Sequence, residues 1–542
     1  MSKLHWRIEL ENGAVFSGSA EPEGEVHVVC PLPDSPIRSV TGRMALDWRQ
    51  GDRLFVNGFQ SWTYSPEFTG TDRLRGLKHL PSAGVKHFGL DRYGDNYFVE
   101  YPGKKGVFHG ETWAYVRRGD EYRLAASLDE KPGYTVIRAD LNSGEMTFER
   151  DCAGMRCCGD FHAFDLFFAV GGEKEVFDAW FAAMGVKPRT TEPIAGYSSW
   201  YNRYEDIDEA CIRSDLEHSA ALLQPGDLFQ IDDGWERAVG DWLEPDEKKF
   251  PSGMKAVVDA IREKGFRAGL WLAPFVARAG SGLYEEHPGW FYLHDGKPWY
   301  CGVNWGGFYA LDMDHPGVRD YLTRVFRRVF DEWGFDLVKL DFLYGAAPFG
   351  SESESRAGRM IRAMDFLREL CGDKLILGCG VPLAAAFGRV DYCRIGCDVG
   401  LDWNDNWLMQ QIHRERVSTK QSISNTVFRR QLNGRAFLND PDVFFLREEN
   451  TKLTSAQKRA LAVANTLLGD VWLTSDDMGS YKPEQAEAWR ELRRLRNAEV
   501  VSVNIGEDVS ITYRLDGEET TEVVLPAEEK KPLIKKLAPK EK

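Results

Sequence analysis

Over about the first 180 residues, apolar and polar side chains alternate in short runs such as 25–30, 96–100 and 134–138, with Gly, Pro and Asp turns between them. A period of two sends successive side chains to opposite faces of a sheet, so residues 1–180 are expected to form an antiparallel β-sandwich. The pattern then changes. Residues 173–184 repeat apolar positions at helical spacing, and 181–193, which contains Lys187-Pro-Arg-Thr-Thr-Glu-Pro193, reads as a connector.

Beyond it the chain carries eight apolar strand candidates: 196–200, 228–235, 267–275, 335–344, 374–383, 392–398, 436–446 and 469–476. Amphipathic stretches at 254–264, 318–333 and 356–370 separate several of them, and 403–433 must hold the helix after the sixth. Strands alternating with helices predict a parallel sheet, and eight of them predict a (β/α)8 TIM barrel over residues 194–497. A long loop, 277–314, departs from an ideal barrel. Alternation returns in 500–525, so 498–528 is expected to be a small C-terminal β region and 529–542 a solvated tail.

The chain has 542 residues, 43% of them hydrophobic, enough to bury the core of two or three domains. A formal charge of −16 opposes binding to nucleic-acid phosphates, so no nucleic-acid partner is expected. The first residues lack the apolar stretch of a signal peptide, and no window of eighteen consecutive apolar residues follows, which predicts a soluble cytoplasmic protein with no membrane partner. The ten cysteines show no paired CxxC spacing and fall mostly in strand-like runs, consistent with buried thiols in a reducing compartment. No cofactor or metal is expected. His287, His294 and His315 lie in loop-like sequence without ligand spacing, which ranks a metal-dependent hydrolase last.

Chemistry in such barrels sits at the carboxyl ends of the strands. Two short runs, Leu337-Val-Lys-Leu-Asp341 and Tyr392-Cys-Arg-Ile-Gly-Cys-Asp398, each deliver a carboxylate there. A retaining glycosidase needs two such groups facing across one bond, a nucleophile and an acid/base. An isolated Asp at a strand end is more often a helix cap or turn residue. Here nearly every strand end is polar, including Gln230-Ile-Asp-Asp-Gly-Trp235, Asn439-Asp440-Pro-Asp442 and Ser475-Asp476-Asp477. So many charges at one rim are costly unless paired or used.

These motifs, in this order from about residue 195 to 477, resemble the α-galactosidases of glycoside hydrolase families 36 and 27. The resemblance is strongest in Ser199-Trp-Tyr-Asn-Arg-Tyr, Gln230-Ile-Asp-Asp-Gly-Trp, Gly269-Leu-Trp-Leu-Ala-Pro, Val338-Lys-Leu-Asp and Arg394-Ile-Gly-Cys-Asp. A preceding sandwich is closer to family 36. The resemblance implies Asp341 as nucleophile and Asp398 as acid/base. It also implies Lys339 as a ligand of a sugar hydroxyl, Arg394 beside the 2-substituent, Asp232 and Asp233 on the 4- and 6-hydroxyls of galactose, and Trp200 and Trp271 as walls. Two departures stand out. Gly378-Cys-Gly-Val-Pro-Leu383 replaces a longer Gly-rich segment, with Cys379 loosely matched near the 2-position, and Ala273 stands where the family often has Glu, which is expected to reshape the pocket rim.

Physically, Lys339 should keep Asp341 ionised, while Asp398 must hold a proton in the resting enzyme, for which burial beside the Asp341 charge is the expected means. The expected function is retaining, exo-acting hydrolysis of a terminal α-galactoside on a small oligosaccharide or glycoside. Alternatives with the same mechanism are an α-N-acetylgalactosaminidase and an α-galactosyl transglycosidase; a non-catalytic carbohydrate-binding barrel is the alternative from another class. The aromatic loop 290–305 is expected on the aglycone side or in a subunit contact of a homo-oligomer.

Overall fold

The computed structural model describes residues 2–527 other than 78, 79, 88, 93, 406–408 and 411–413; the expected tail, 529–542, lies outside them. The N-terminal region is two antiparallel sheets sharing one 22-residue strand, Gly24–Ala45. Its first half pairs with Arg156–Gly172 in one sheet, and its second half pairs with Leu4–Leu10 and Glu145–Arg150 in the other. Inward residues such as Ile8, Val28, Val40, Phe148 and Phe164 fill the space between the sheets. One expected strand is absent: 96–100 is a turn, in which the Phe98 and Val99 amides both donate to the Asp95 carbonyl. The alternation there reflects Val99 and Tyr101 packing inward from a loop whose backbone satisfies itself locally.

Eight strands, Ile194–Ser198, Leu228–Ile231, Arg267–Leu272, Leu337–Leu340, Leu375–Gly378, Tyr392–Arg394, Leu438–Asp440 and Val471–Thr474, pair in parallel in chain order. Each overlaps one of the eight apolar runs. The last strand returns to the first, with Ile194 opposite Val471 and Tyr197 opposite Thr474. Strand seven cannot continue its ladder, because Pro441 has no N–H and Asp442 takes a left-handed φ of 78°. A single bridge from Phe444 to Thr474 closes the seam instead.

Helices Gly253–Glu263, Pro316–Arg327, Arg356–Cys371 and Ser455–Leu468 lie outside the barrel, and capping side chains such as Ser355 and Thr454 start the last two. The helix after strand six is Thr419–Phe428, and it has no apolar stripe: polar and apolar residues alike are buried. It can be buried because its polar groups are bonded; Asn425 accepts from the Ser65 amide at 2.9 Å and donates to the Thr63 carbonyl at 3.1 Å.

The sandwich and barrel share one continuous core. Trp180, on the helix Glu173–Met184, is fully buried among Trp113, Phe177, Phe181 and Phe387, and its indole donates to the Ser127 carbonyl at 2.9 Å. Each such ring contributes about 1.5–3 kcal/mol of burial free energy. The C-terminal region is a meander of Glu499–Ile505, Val509–Leu515 and Glu518–Leu525. No helix among the described residues is long and apolar enough to cross a membrane.

The barrel tolerates no side chain at Gly196. A Cβ there would lie 1.9 Å from the Leu228 carbonyl oxygen of the neighbouring strand. Gly196→Ala should destabilise the protein by at least about 3 kcal/mol, because two paired backbones must separate. Gly289→Ala, where a Cβ meets nothing within 4 Å, should stay within about 0.5 kcal/mol of the parent. Urea unfolding of both variants checks the contrast.

Candidate active site

The carboxyl ends of the strands open into a cavity of about 730 Å³. Asp232, Asp233, Lys339, Asp341 and Asp398 line it, walled by Trp200 and Trp271. Seven of the residues singled out in the sequence therefore meet in one place. The other two, Arg394 and Cys379, sit one layer behind.

Asp341 follows directly on Leu337–Leu340, and its amide still bonds the Leu272 carbonyl of strand three at 2.8 Å. Its carboxylate receives the Trp271 indole at 3.1 Å and the Phe342 amide at 2.9 Å, which fix both oxygens. Phe342 turns the chain sharply with a φ of 51°. Burial is the largest influence on Asp341 and lifts its pKa; Lys339, the Cys379 thiol and the Trp271 indole pull it back only in part. The expected dominance of Lys339 is thus corrected: desolvation outweighs the cation.

Lys339 spends its ammonium on Asp232, 2.8 Å away. Burial opposes its charge, but the Asp232 and Asp341 carboxylates outweigh burial and raise its pKa above the ordinary lysine range. Asp232 also accepts from Gln230 at 2.9 Å, and its amide donates to Ser199 at 2.9 Å. Asp233 donates its amide to Asp232 and accepts the Trp305 indole at 2.8 Å. Burial and then the Glu236 carboxylate push the Asp233 pKa well up. Gly234 makes this turn possible, with a φ of 110° and the Glu205 backbone 2.6 Å from where a Cβ would stand.

Asp398 differs from the expectation in its surroundings. Its side chain is 38% exposed rather than enclosed, and it pairs with Arg394 at 2.8 Å. Arg394 itself is engaged by Asp442 at 2.7 Å and Asp440 at 3.4 Å as well. It orients Asp398 from behind rather than facing the cavity, which corrects its expected contact with a 2-substituent. Asp442 in turn accepts from the Tyr201 hydroxyl and the Val399 amide; burial lifts its pKa to about 7 against the pull of Arg394. The carboxylates of strand seven are thus the support of Arg394.

Two wall elements escaped the sequence reading, Trp62 and the Glu415–Arg416 pair, while part of the aromatic loop lies at the cavity as one of its two expectations had it. Trp62 comes from the sandwich, on a loop that crosses to the barrel; its indole donates to Cys379 at 3.2 Å, and its ring lies 2.9 Å from where a Cβ of Gly380 would be. Cys379 and Gly380 therefore seat an aromatic ring, so Cys379 lies behind Trp62 rather than at the 2-position where it was expected among the substrate-binding residues. From the aromatic loop, Val303, Asn304 and Trp305 line the cavity, whereas Trp299 is buried under Arg92 of the sandwich. Glu415 and Arg416, after strand six, complete the rim. Ala273 is fully buried and does not line the cavity, so the expected change at the rim does not arise there. No local pattern could have flagged Trp62, since only tertiary folding brings residue 62 to residue 380.

Two clusters among the described residues bring possible metal donors together, Asp95–His109–Glu111 and Asp215–His218–Asp477. None of the six residues lines the cavity, and each imidazole already bonds a carboxylate, His109 to Asp95 at 2.9 Å and His218 to Asp477 at 2.8 Å.

Residues 189–364 match the Melibiase family model. The probable α-galactosidase C of Aspergillus flavus is 27% identical over 306 residues, 53% of this chain and 38% of that protein. An α-galactosidase of Escherichia coli is 28% identical over 206 residues, 36% of this chain and 28% of its own length. The chain thus spans well under half the length of these curated relatives. Among solved structures, the α-galactosidase TtGalA of Thermus thermophilus, in complex with p-nitrophenyl α-D-galactopyranoside, superposes with a TM-score of 0.74 at 29% identity, covering 95% of this chain and 98% of that one. The GH36 α-galactosidase AgaA of Geobacillus stearothermophilus shares the fold, with a TM-score of 0.60 at 13% identity over 94% of this chain and 79% of its own.

The raised pKa of Asp341 makes a stability prediction. A carboxyl whose folded pKa exceeds its unfolded value penalises folding once pH rises through that range, and the penalty is absent when both states are protonated. Asp341→Asn should therefore melt higher than the parent at pH 7 and lose most of that advantage at about pH 3.5, just below the ordinary aspartate pKa of about 3.9. Thermal melts at the two pH values test the sign.

Proposed function

From a barrel that carries a Melibiase domain, we propose that this chain is a retaining, exo-acting α-galactosidase that acts on terminal α-galactosides of small oligosaccharides. The observation that carries the reading is the meeting of Asp341 and Asp398 in one cavity beside the Lys339–Asp232 pair and Asp233. Solved complexes of the Thermus protein with p-nitrophenyl α-galactoside and with stachyose support the same substrate class.

In this mechanism Asp341, its oxygens fixed by Trp271 and Phe342, attacks the anomeric carbon. Asp398, open to the cavity and oriented by Arg394, protonates the departing oxygen. A covalent glycosyl-enzyme forms on Asp341; water, deprotonated by Asp398, then releases the sugar with its α configuration retained. Neutralising Asp341 in the intermediate removes a buried charge, so desolvation that penalises the free carboxylate favours bond formation. Asp232 and Lys339 present an acceptor and a donor to sugar hydroxyls, and Asp233 adds a second carboxyl. An axial 4-hydroxyl reaches the remaining hydrogen-bonding capacity of these groups, whereas an equatorial one points away from it and forgoes those bonds.

Asp341→Gly should abolish turnover, and azide should restore it in part while producing the β-galactosyl azide, because the anion fills the vacated space. An α-azide product would reject the assignment. In a panel of p-nitrophenyl glycosides, kcat/KM for the α-galactoside should exceed that for the α-glucoside by about a hundred-fold or more. A preference for the α-glucoside would refute the roles given to Asp232 and Asp233. The α-N-acetylgalactosaminide in the same panel decides the 2-substituent.

A further inference from the structure

Arg429 is fully buried and lies just past the helix Thr419–Phe428, yet among the described residues no carboxylate pairs with it. Burial lowers its pKa to about 9, which leaves it charged at neutral pH. A charge in that position is costly unless its donors are fully used. They are. Five of its hydrogen bonds go to one stretch of the sandwich loop: Asn57 Oδ1 at 3.0 Å, the Gly58, Gln60 and Ser61 carbonyls at 3.3, 3.2 and 2.6 Å, and Ser65 Oγ at 3.0 Å. The sixth goes to the Ile395 carbonyl, at 2.8 Å, next to Arg394 on barrel strand six.

The loop so held is the one that carries Trp62. Other fastenings hold single points of it: Arg414 donates to the Tyr64 carbonyl at 3.1 and 3.2 Å, Asn425 bonds the Ser65 amide and the Thr63 carbonyl, Ser61 donates its amide to the Val381 carbonyl at 3.0 Å, and Gln60 and Thr63 bond Glu415. Arg429 alone gathers five acceptors of the loop, and its sixth bond ties them to the strand whose end carries Arg394 and Asp398. We propose that Arg429 is a positioning residue for the leaving-group side of the cavity: it holds Trp62, which belongs to the sandwich, in register with Asp398, which belongs to the barrel. The fork of Arg is suited to this, since a lysine ammonium cannot reach several carbonyls in one plane.

This rests on the α-galactosidase reading, and the test keeps the two apart. With stachyose, whose leaving group must lie beyond the sugar site, Arg429→Lys should lower kcat/KM by about ten-fold or more, chiefly through KM. With α-galactosyl fluoride, whose leaving group is a single atom, the change should stay within about three-fold. Trp62→Ala should give the same split, and the double variant should be little worse than the poorer single one. Amide hydrogen exchange in 57–65 should rise by about ten-fold or more in Arg429→Lys while strand 392–394 stays protected. If Arg429→Lys does not fold, Asn57→Ala and Ser65→Ala, each removing one acceptor, should move both readouts in the same direction by smaller amounts. Equal losses on stachyose and the fluoride, or unchanged exchange in 57–65, would overturn the proposal. If the parent enzyme turns over neither substrate, the α-galactosidase reading fails, and hydrogen exchange alone still decides whether Arg429 holds the loop.

Discussion

Two buried cations meet a surplus of buried carboxylates at one end of the barrel, and the rest of the site follows from how that charge is balanced. Lys339 answers Asp232 and Arg394 answers Asp398, Asp440 and Asp442. Removing one partner of such a pair costs about 3–5 kcal/mol, because the remaining charge is left without compensation. The surplus stays unbalanced: Asp341, Asp233 and Asp442 all have their pKa lifted by burial. In the proposed mechanism, forming a bond at Asp341 relieves that tension.

The layering of the site follows from the same balance. Groups that would face a ligand, Asp232, Asp341 and Asp398, each have a partner fixing them from behind: Lys339 with Gln230, Trp271 with the Phe342 amide, and Arg394. The supporting residues come from strands two, three, four and six, and Arg394 is itself braced by strand seven. Only a closed parallel barrel brings those strand ends within a few ångströms of one another. The strict backbone contact at Gly196, where strands one and two meet, is part of that closure.

The sandwich is more than an appendage to this barrel. Its loop 57–65 lies against the sixth-strand region and the 378–383 segment, so that Trp62 stands over Gly380 and beside Cys379. The short segment that departs from family 36 is in this chain the seat of an aromatic ring from another domain. The buried polar helix Thr419–Phe428 joins the two domains as well, since Asn425 bonds the sandwich loop while Ser422 and Thr419 bond the Pro441 and Gly400 carbonyls of the barrel.

How much of this was legible in the chain depends on the range of the interaction. Period-two and period-3.6 patterns are local, so the sandwich, the eight barrel strands and most outer helices could be read from neighbouring residues, and a parallel barrel then placed Asp341 and Asp398 at a common rim. Alternation misled at 96–100, where Val99 and Tyr101 pack inward from a turn, and the helix at Thr419–Phe428 had no period to read. At the site, the residue types were legible but their tiers were not: Arg394 and Cys379 look like ligand contacts in sequence and lie behind the wall in space. Whether burial or a neighbouring charge governs Asp341, and whether Asp398 is enclosed or open, depends on solvent exclusion by segments hundreds of residues away. Sequence by itself determined the elements and the chemistry available at the strand ends; only the tertiary structure decided which charges lose water, which aromatic rings close over them and which buried arginine ties the two domains together, because desolvation and long-range hydrogen bonding are properties of the packed whole.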